Sequence, residues 1–236
     1  MNSKKVVITG SSGFLGKHLV AQMRKENRPF TAVSSKDYDL TRHDEVKKLF
    51  IDHKPEVLIH LAAYSGGIKA NRQFPADFYF QNIMLTSLVF EEGAKNGVKK
   101  LIYTMGGCSY PAKATSPIDE SQMWSGYPQV ESSGYAMAKK MGIVAADVYR
   151  KQFGLNSSVL IPGNMYGEYD NYHPDHSHVI PAMVRRYYEA KLKQLEEVTM
   201  WGSGRPTRDF VYVGDIAQLI PYFIDHDEPG PVNLST

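Results

Sequence analysis

The residues best placed to do chemistry begin with Tyr135-Ala-Met-Ala-Lys139. On a helix, positions i and i+4 share a face, so the phenol and the ammonium come together. An ammonium beside a phenol favours the phenolate and lowers its pKa toward neutrality. Such a tyrosine can exchange a proton with a sugar or alcohol oxygen while a hydride moves to or from a nicotinamide. With 15 tyrosines in the chain the pair is uninformative alone. It gains meaning from an upstream loop, Gly10-Ser11-Ser12-Gly13-Phe14-Leu15-Gly16. Glycines there let the backbone turn sharply and approach a pyrophosphate, which the first amides and positive potential of a following helix can hold. The spacing is G-x-x-G-x-x-G, not the G-x-G-x-x-G of simpler dinucleotide folds. A third feature is Val33-Ser34-Ser35-Lys36, where a second strand ends without an acid. An acid there would bond the ribose of NAD, whereas hydroxyls and a cation favour the phosphate of NADP, so NADP(H) is expected over NAD(H). The fourth is Cys108, the single cysteine, in Met-Gly106-Gly107-Cys108-Ser109-Tyr-Pro at the end of an apolar run. A lone cysteine is ordinarily a small buried hydrophobe. At the carboxyl end of a strand, where α/β sheets bind ligands, a reactive thiol becomes the sharper reading.

These groups need elements to position them, and the chain alternates short apolar runs with longer amphipathic ones. Strands are predicted at 6–9, 30–33, 57–61, 101–105 and 157–161, and helices at 14–25, 44–53, 77–96 and 135–153. Gly97, Gly154 and Pro162 punctuate them. Near-continuous apolar strands separated by helix-length crossovers imply an α/β fold, a doubly wound parallel sheet covered on both faces. Beyond Pro162 the texture changes to Gly, Asn, Asp, Tyr and His. A helix is predicted at 179–191 and short strands at 198–201, 209–212 and 231–234. The expected organisation is a Rossmann domain over 1–162 and a mainly substrate-binding segment over 163–236, with a strand and helix around 209–224 returning to the first domain. A strand ending two residues before the chain does leads to the expectation that the C-terminal portion is incomplete.

Composition excludes several classes. The chain has 236 residues, 42% hydrophobic and 22% charged, with a net charge of +2. That suits a soluble protein with a real core and shows no basic footprint for nucleic acid. One cysteine excludes a disulfide framework and a cysteine-rich metal site, and fits a reducing, cytoplasmic setting. The apolar run after Lys4-Lys5 is too short for a secretion signal, and no apolar stretch reaches membrane-spanning length. His173, Asp175, His176 and His178 form a tempting cluster, but ligands so close in one loop seldom converge, so no metal is expected. His60 reads as a satisfied core histidine, and Phe78, Tyr79 and Phe80 as helix packing or a dimer face.

The loop of Gly10, Gly13 and Gly16, His60-Leu61-Ala62-Ala63 after a strand, Asn82 in a long helix and the Tyr135/Lys139 pair together resemble the extended short-chain dehydrogenase/reductase superfamily. Within it, four stretches resemble the branch of epimerase-reductases acting on GDP-linked 4-keto-6-deoxy sugars. They are 65–71 with 75–78, Cys108-Ser-Tyr-Pro111, 170–186 and 201–210. The resemblance implies that Tyr135 donates the proton in 4-keto reduction, that Lys139 is its partner and a ribose ligand, and that Cys108 and His178 are the acid/base pair inverting C3 and C5. It places Asp39 and Leu40 near the adenine, and Leu61, Ala62, Ala63, Pro162, Asn164, Met165 and His178 along the cofactor. Ser109, Asn164, Arg185, Trp201 and Arg208 would face the nucleotide-sugar, with Arg208 on the diphosphate. A homodimer built on the long helices after Asp77 and Tyr135 is also implied.

The chain departs from that branch at two points. A Ser or Thr is expected two residues before Cys108, bonding the 4-oxygen, and Gly106 stands there. Losing such a donor costs about 2.7–4 kcal/mol of transition-state stabilisation. The loop after Ala63 is also one residue shorter. The leading reading is therefore an NADP(H)-dependent nucleotide-sugar epimerase/reductase. The alternatives are a 4-epimerase or 4-reductase for a bulkier sugar such as a heptose, or a cofactor-binding protein with impaired catalysis.

Overall fold

The computed structural model describes residues 4–200, 202–205 and 207–235. Trp201, read both as part of a short strand and as a substrate contact, lies outside them. The elements run β1 (Val6–Thr9), α1 (Phe14–Lys25), β2 (Thr31–Val33), α2 (His43–His53), β3 (Val57–His60), α3 (Ile68–Gln73), α4 (Pro75–Lys95), β4 (Lys100–Thr104), α5 (Ser133–Phe153), β5 (Asn156–Pro162), β6 (Asn164–Tyr166), α6 (Val179–Leu192), β7 (Phe210–Tyr212), α7 (Val213–Leu219), α8 (Tyr222–Asp225) and β8 (Gly230–Leu234).

Six strands form one parallel sheet in the order β2-β1-β3-β4-β5-β8. The apolar runs are nearly continuous because both faces are covered. Val7, Leu58, Leu101, Tyr103, Val159 and Ile161 point into one core with residues of α2, α4 and α5. Their neighbours Val6, Ile8, Ile59, Ile102 and Leu160 point into a second core with α1, α7 and α8. Ile8, Ile59 and Ile102 are fully buried side by side across three strands. Truncating any of them to alanine would cost about 2–5 kcal/mol.

The strand order reverses between β1 and its two neighbours, so a crevice opens at the carboxyl ends of β1 and β3, where doubly wound sheets bind ligands. The segment after β5 forms a second, two-stranded parallel sheet of β6 and β7. The chain then returns: α7 packs on α1, and β8 extends the large sheet beside β5. Residues 198–200 are not a strand. Val198 and Thr199 instead line a hollow with Arg186, Glu189 and Ala190 of α6 and with Lys193 just beyond it. Two elements escape the sequence pattern, α3 and β6, each too short to show a period.

Candidate active site

The phosphate loop is closed by steric need. Gly10 has φ +69°, and a Cβ there would lie 2.6 Å from the Ala62 amide nitrogen. A Cβ on Gly16 would lie 2.1 Å from the Gly10 carbonyl oxygen. Only glycine lets α1 start directly beneath the turn. Gly13 is the N-cap of α1 and no side chain caps it, leaving the first-turn amides free to meet an anion. Ser11 does not present its hydroxyl: Ser11 N and Oγ both donate to the Val33 carbonyl, at 3.1 and 2.9 Å, and tie the loop to β2. Ser12 is exposed. Leu15 packs into the core, and Phe14 lies against it edge-on to His18.

Beside this loop a cleft of about 420 Å³ is lined by Thr9, Gly10, Val33, Ser34, Ser35, Tyr38, Asp39, Leu40, Thr41, Ala62 and Ala63, among others. Its size and mixed lining suit an adenosine moiety, and the close-fitting glycines suit the adjoining pyrophosphate. Leu61 N donates to the Thr9 carbonyl, which holds the 61–63 segment along the cleft. Thr41 N and Oγ hold the Asp39 carboxylate and keep it ionised. Lys36 and Asp37 are exposed on the turn after β2, just outside the lining, whose single charged side chain among the described residues is Asp39.

Beside β3 on the same sheet, the carboxyl end of β4 runs into Gly106, Gly107 and Cys108. A Cβ on Gly106 would stand 3.3 Å from Cys108 Sγ and 3.7 Å from the Tyr135 hydroxyl. Thiol and phenol therefore stand close beside residue 106, where the same Cβ would also lie 3.4 Å from Tyr135 Cε1 and only glycine avoids crowding them. Desolvation by the surrounding protein pushes the Cys108 thiol up to about 11, although the residue keeps contact with solvent. A thiol in this state is a proton donor, not a standing thiolate.

The expected lowering of the Tyr135 pKa by Lys139 is overturned. Burial raises the phenol, and nearby Cys108 and Tyr103 act in the same direction. Helical spacing aligns the two side chains on one face of α5, but the Lys139 stem turns inward, with Nζ 4.1 Å from the centre of the Tyr103 ring. Tyr103 in turn hydrogen-bonds Thr86 Oγ1 at 2.8 Å and donates to the Lys139 carbonyl at 3.2 Å. Burial without a carboxylate lowers Lys139 to about 7. His60, stacked on Tyr103, bonds Thr9 Oγ1 through Nδ1 at 2.9 Å. Its buried Nε2 has no partner, so the reading of a satisfied core histidine holds for one ring nitrogen only. Desolvation, with the Lys139 charge adding to it, lowers His60 to about 3.

His178 is the N-cap of α6. Gly67 sets its position: the Gly67 amide donates to the His176 carbonyl at 2.9 Å, and a Cβ there would lie 2.3 Å from the Ser177 carbonyl oxygen. A Lys69–Asp175 ion pair closes the same junction. No hydrogen bond joins His178 to Cys108 among the described residues. Asp170, which sequence reasoning did not single out, lies within electrostatic range of His178. Its Oδ1 accepts from Asn171 N, and its buried Oδ2 has no partner.

Other expected ligands are otherwise engaged. Ser109 is corrected: its hydroxyl is buried and donates to the Ala136 carbonyl, anchoring the turn to α5. Arg185 donates to Glu189 and to the Tyr172 carbonyl, at 2.6 and 2.8 Å. Asn164 Nδ2 donates to the Asp209 carbonyl. Arg208 is exposed and donates to the Thr207 carbonyl. Pro162 ends β5 beside Gly107, and Met165 is half-buried in β6. No group of three or more His, Cys, Asp or Glu among the described residues could hold a metal, and no described helix is long and apolar enough to cross a membrane.

A parallel sheet, a glycine cradle at its first crossover and a Tyr-x-x-x-Lys helix at the carboxyl end of β4 are the marks of a dinucleotide-dependent enzyme. Comparison with known proteins narrows the class: the model of the NAD dependent epimerase/dehydratase family matches residues 6–235, and the chain belongs to that family. It is an NAD(P)-dependent nucleotide-sugar epimerase/reductase. It is 36% identical to a GDP-L-fucose synthase of Sinorhizobium fredii (strain NBRC 101917 / NGR234), across all of this chain and 76% of that one. Its fold superposes on a GDP-L-fucose synthetase from Naegleria fowleri bound to NADP with a TM-score of 0.91 and 28% identity, covering all of this chain and 78% of the other. A GDP-6-OMe-4-keto-L-xylo-heptose reductase from C. jejuni is similar at a TM-score of 0.90 and 25% identity, over all of this chain and 79% of that one.

Proposed function

We propose that this protein converts a GDP-linked 4-keto-6-deoxy hexose by epimerisation beside the ketone followed by reduction of the ketone with NADP(H). The observation that carries the reading is the convergence of Cys108 Sγ and the Tyr135 hydroxyl on one point at the carboxyl end of β4. Protons alpha to a ketone are acidic enough for a positioned imidazole or thiolate to remove. In this reading His178 takes the proton from one face and Cys108, protonated at rest, returns one to the other. Tyr135, held as a neutral phenol, then donates to the 4-oxygen. When bound, the nicotinamide supplies the hydride. Lys139 holds the ribose, and Arg185 and Arg208 meet the diphosphate once their present carbonyl partners are exchanged for it. The setting is cytoplasmic, and the working unit is a dimer pairing α4 and α5, whose Tyr79, Phe80, Val144 and Val148 are exposed.

The test is incubation with NADPH and GDP-4-keto-6-deoxymannose in D₂O, following NADPH absorbance and sugar mass. NADPH oxidation with two carbon-bound deuteriums supports the reading, and Cys108→Ser should stop the uptake while leaving NADPH binding intact. Binding of NADPH with neither oxidation nor exchange would sink this substrate.

Gly106 favours a second reading, a bulkier 4-keto sugar. Glycine at 106 spares Cys108 and Tyr135 a Cβ that would lie 3.3 Å from the thiol and 3.4 Å from the Tyr135 ring, and one similar structure is a 4-keto-heptose reductase. Turnover of a GDP-4-keto-heptose with none of the deoxyhexose would select it.

A further inference from the structure

Strand β2 ends at Val33 without an acid, yet a carboxylate returns to that position through a turn. Asp37 Oδ2 accepts from both Ser34 N and Ser34 Oγ, each at 2.8 Å. Ser34 lines the cleft, and it is the first residue past β2, where the fold presents its groups to a ribose. Both donors that Ser34 could offer to a ribose phosphate are thus already taken. The group taking them is a full negative charge, because the same two bonds hold the Asp37 carboxyl below its usual range. Asp39, on the cleft wall, adds a second carboxylate, and Lys36 on the same turn is the nearest opposing charge in sequence.

We propose that Asp37 is a specificity-determining residue for the cofactor: it occupies the Ser34 donors and sets a carboxylate beside the ribose, and so holds down the affinity for the 2′-phosphorylated dinucleotide relative to the unphosphorylated one. This rests on the reading of this end of the cleft as the adenosine end. A 2′-phosphate arriving there must break two hydrogen bonds and approach a like charge. A free 2′-hydroxyl carries no charge and can donate to the carboxylate. The preference for NADP(H) is therefore weaker than the hydroxyls of Ser34 and Ser35 alone would produce.

The experiment is direct binding, by fluorescence titration of NADPH and NADH, to the full chain and to Asp37→Asn and Asp37→Ala. Asp37 is exposed, so both variants should fold, which a thermal melt verifies. The Asn variant keeps an acceptor for Ser34 and removes only the charge. It should tighten NADPH by about 5–15-fold at low salt, with the gain shrinking at high salt. The Ala variant also frees both donors and should tighten NADPH at least as much. NADH should be unchanged or slightly weaker in both. NADPH affinity unchanged in both variants, or both dinucleotides tightening equally, overturns the proposal. Failure of the unaltered chain to bind either dinucleotide overturns the adenosine reading along with it.

Discussion

The two ends of the cleft are built by different means. The end formed by β1, β2 and β3 is made of backbone: Gly10 and Gly16 in steric contact with Ala62 and with each other, and Ser11 and Asp37 spent on the loop itself. The end formed by β4, α5 and α6 is made of side chains with unmet needs. Lys139 has a ring face in place of a carboxylate, Asp170 Oδ2 has no partner, and Cys108 and Tyr135 crowd Gly106; between the two ends His60, which bonds Thr9 of β1 and stacks on Tyr103 of β4, leaves Nε2 without a partner. Buried polar groups left unpaired are costly, and they concentrate where a ligand will complete them. On the proposed function, the first end would hold a constant ligand and can be rigid. On the same reading the second would bind and release changing substrates, and the protein alone leaves polar groups there unpaired.

Substitutions can break or sharpen that contrast. The largest effect should come at the reactive end: Tyr135→Phe should lower the rate of ketone reduction by about 10²–10⁴-fold, measured as NADPH oxidation, with NADPH affinity nearly unchanged. Next, Gly16→Ala places a methyl 2.1 Å from a backbone oxygen and should shift α1 away from the loop. NADPH binding by titration should fall by more than about 10-fold, with a destabilisation of about 1–3 kcal/mol. Survival of binding would show that the backbone end is more plastic than its contacts imply. Gly106→Ser places a Cβ 3.3 Å from Cys108 Sγ and 3.4 Å from Tyr135 Cε1, so both side chains must give by a few tenths of an ångström. It should raise kcat on a deoxyhexose about 10-fold, through a donor to the 4-oxygen, and lower turnover of a heptose. The opposite pattern would mean that Gly106 selects neither sugar. A further effect concerns pH. Lys139 has its pKa lowered from 10.5 to about 7 on folding, so above pH 7 the unfolded chain binds more protons. Stability should rise from pH 7 to 9 by up to about 1.4 kcal/mol per unit, and Lys139→Met should flatten that slope in denaturant melts.

The backbone end was legible in the sequence. Glycine spacing, the strand before it and the helix after it are local in sequence, and Gly10, Gly13 and Gly16 stand where the pattern put them. The reactive end was legible in residue type but not in state. Tyr135 and Lys139 do share a helix face, yet the expected charge pairing fails because Tyr103, 32 positions before Tyr135 in the chain, captures the ammonium. Ser109 is the right residue type beside Cys108, but its hydroxyl turns to the Ala136 carbonyl. Asp170 carried no sequence signal, because one carboxylate in a loop of Gly, Asn, Asp and His is unremarkable until its oxygen is seen to be buried.

By itself the sequence determined the alternation of strands and helices, the sheet covered on both faces and the glycine loop after β1, which follow from periodicity and from glycine's lack of a Cβ. The absent hydroxyl at residue 106 was legible only through the family resemblance. The tertiary structure alone decided the protonation of Tyr135, Cys108 and Lys139, the capture of Ser34 by Asp37 and the placing of His178 by Gly67. Desolvation and hydrogen-bond partners depend on which atoms meet across the sheet and its loops, and residues far apart in the chain carry no local record of that meeting.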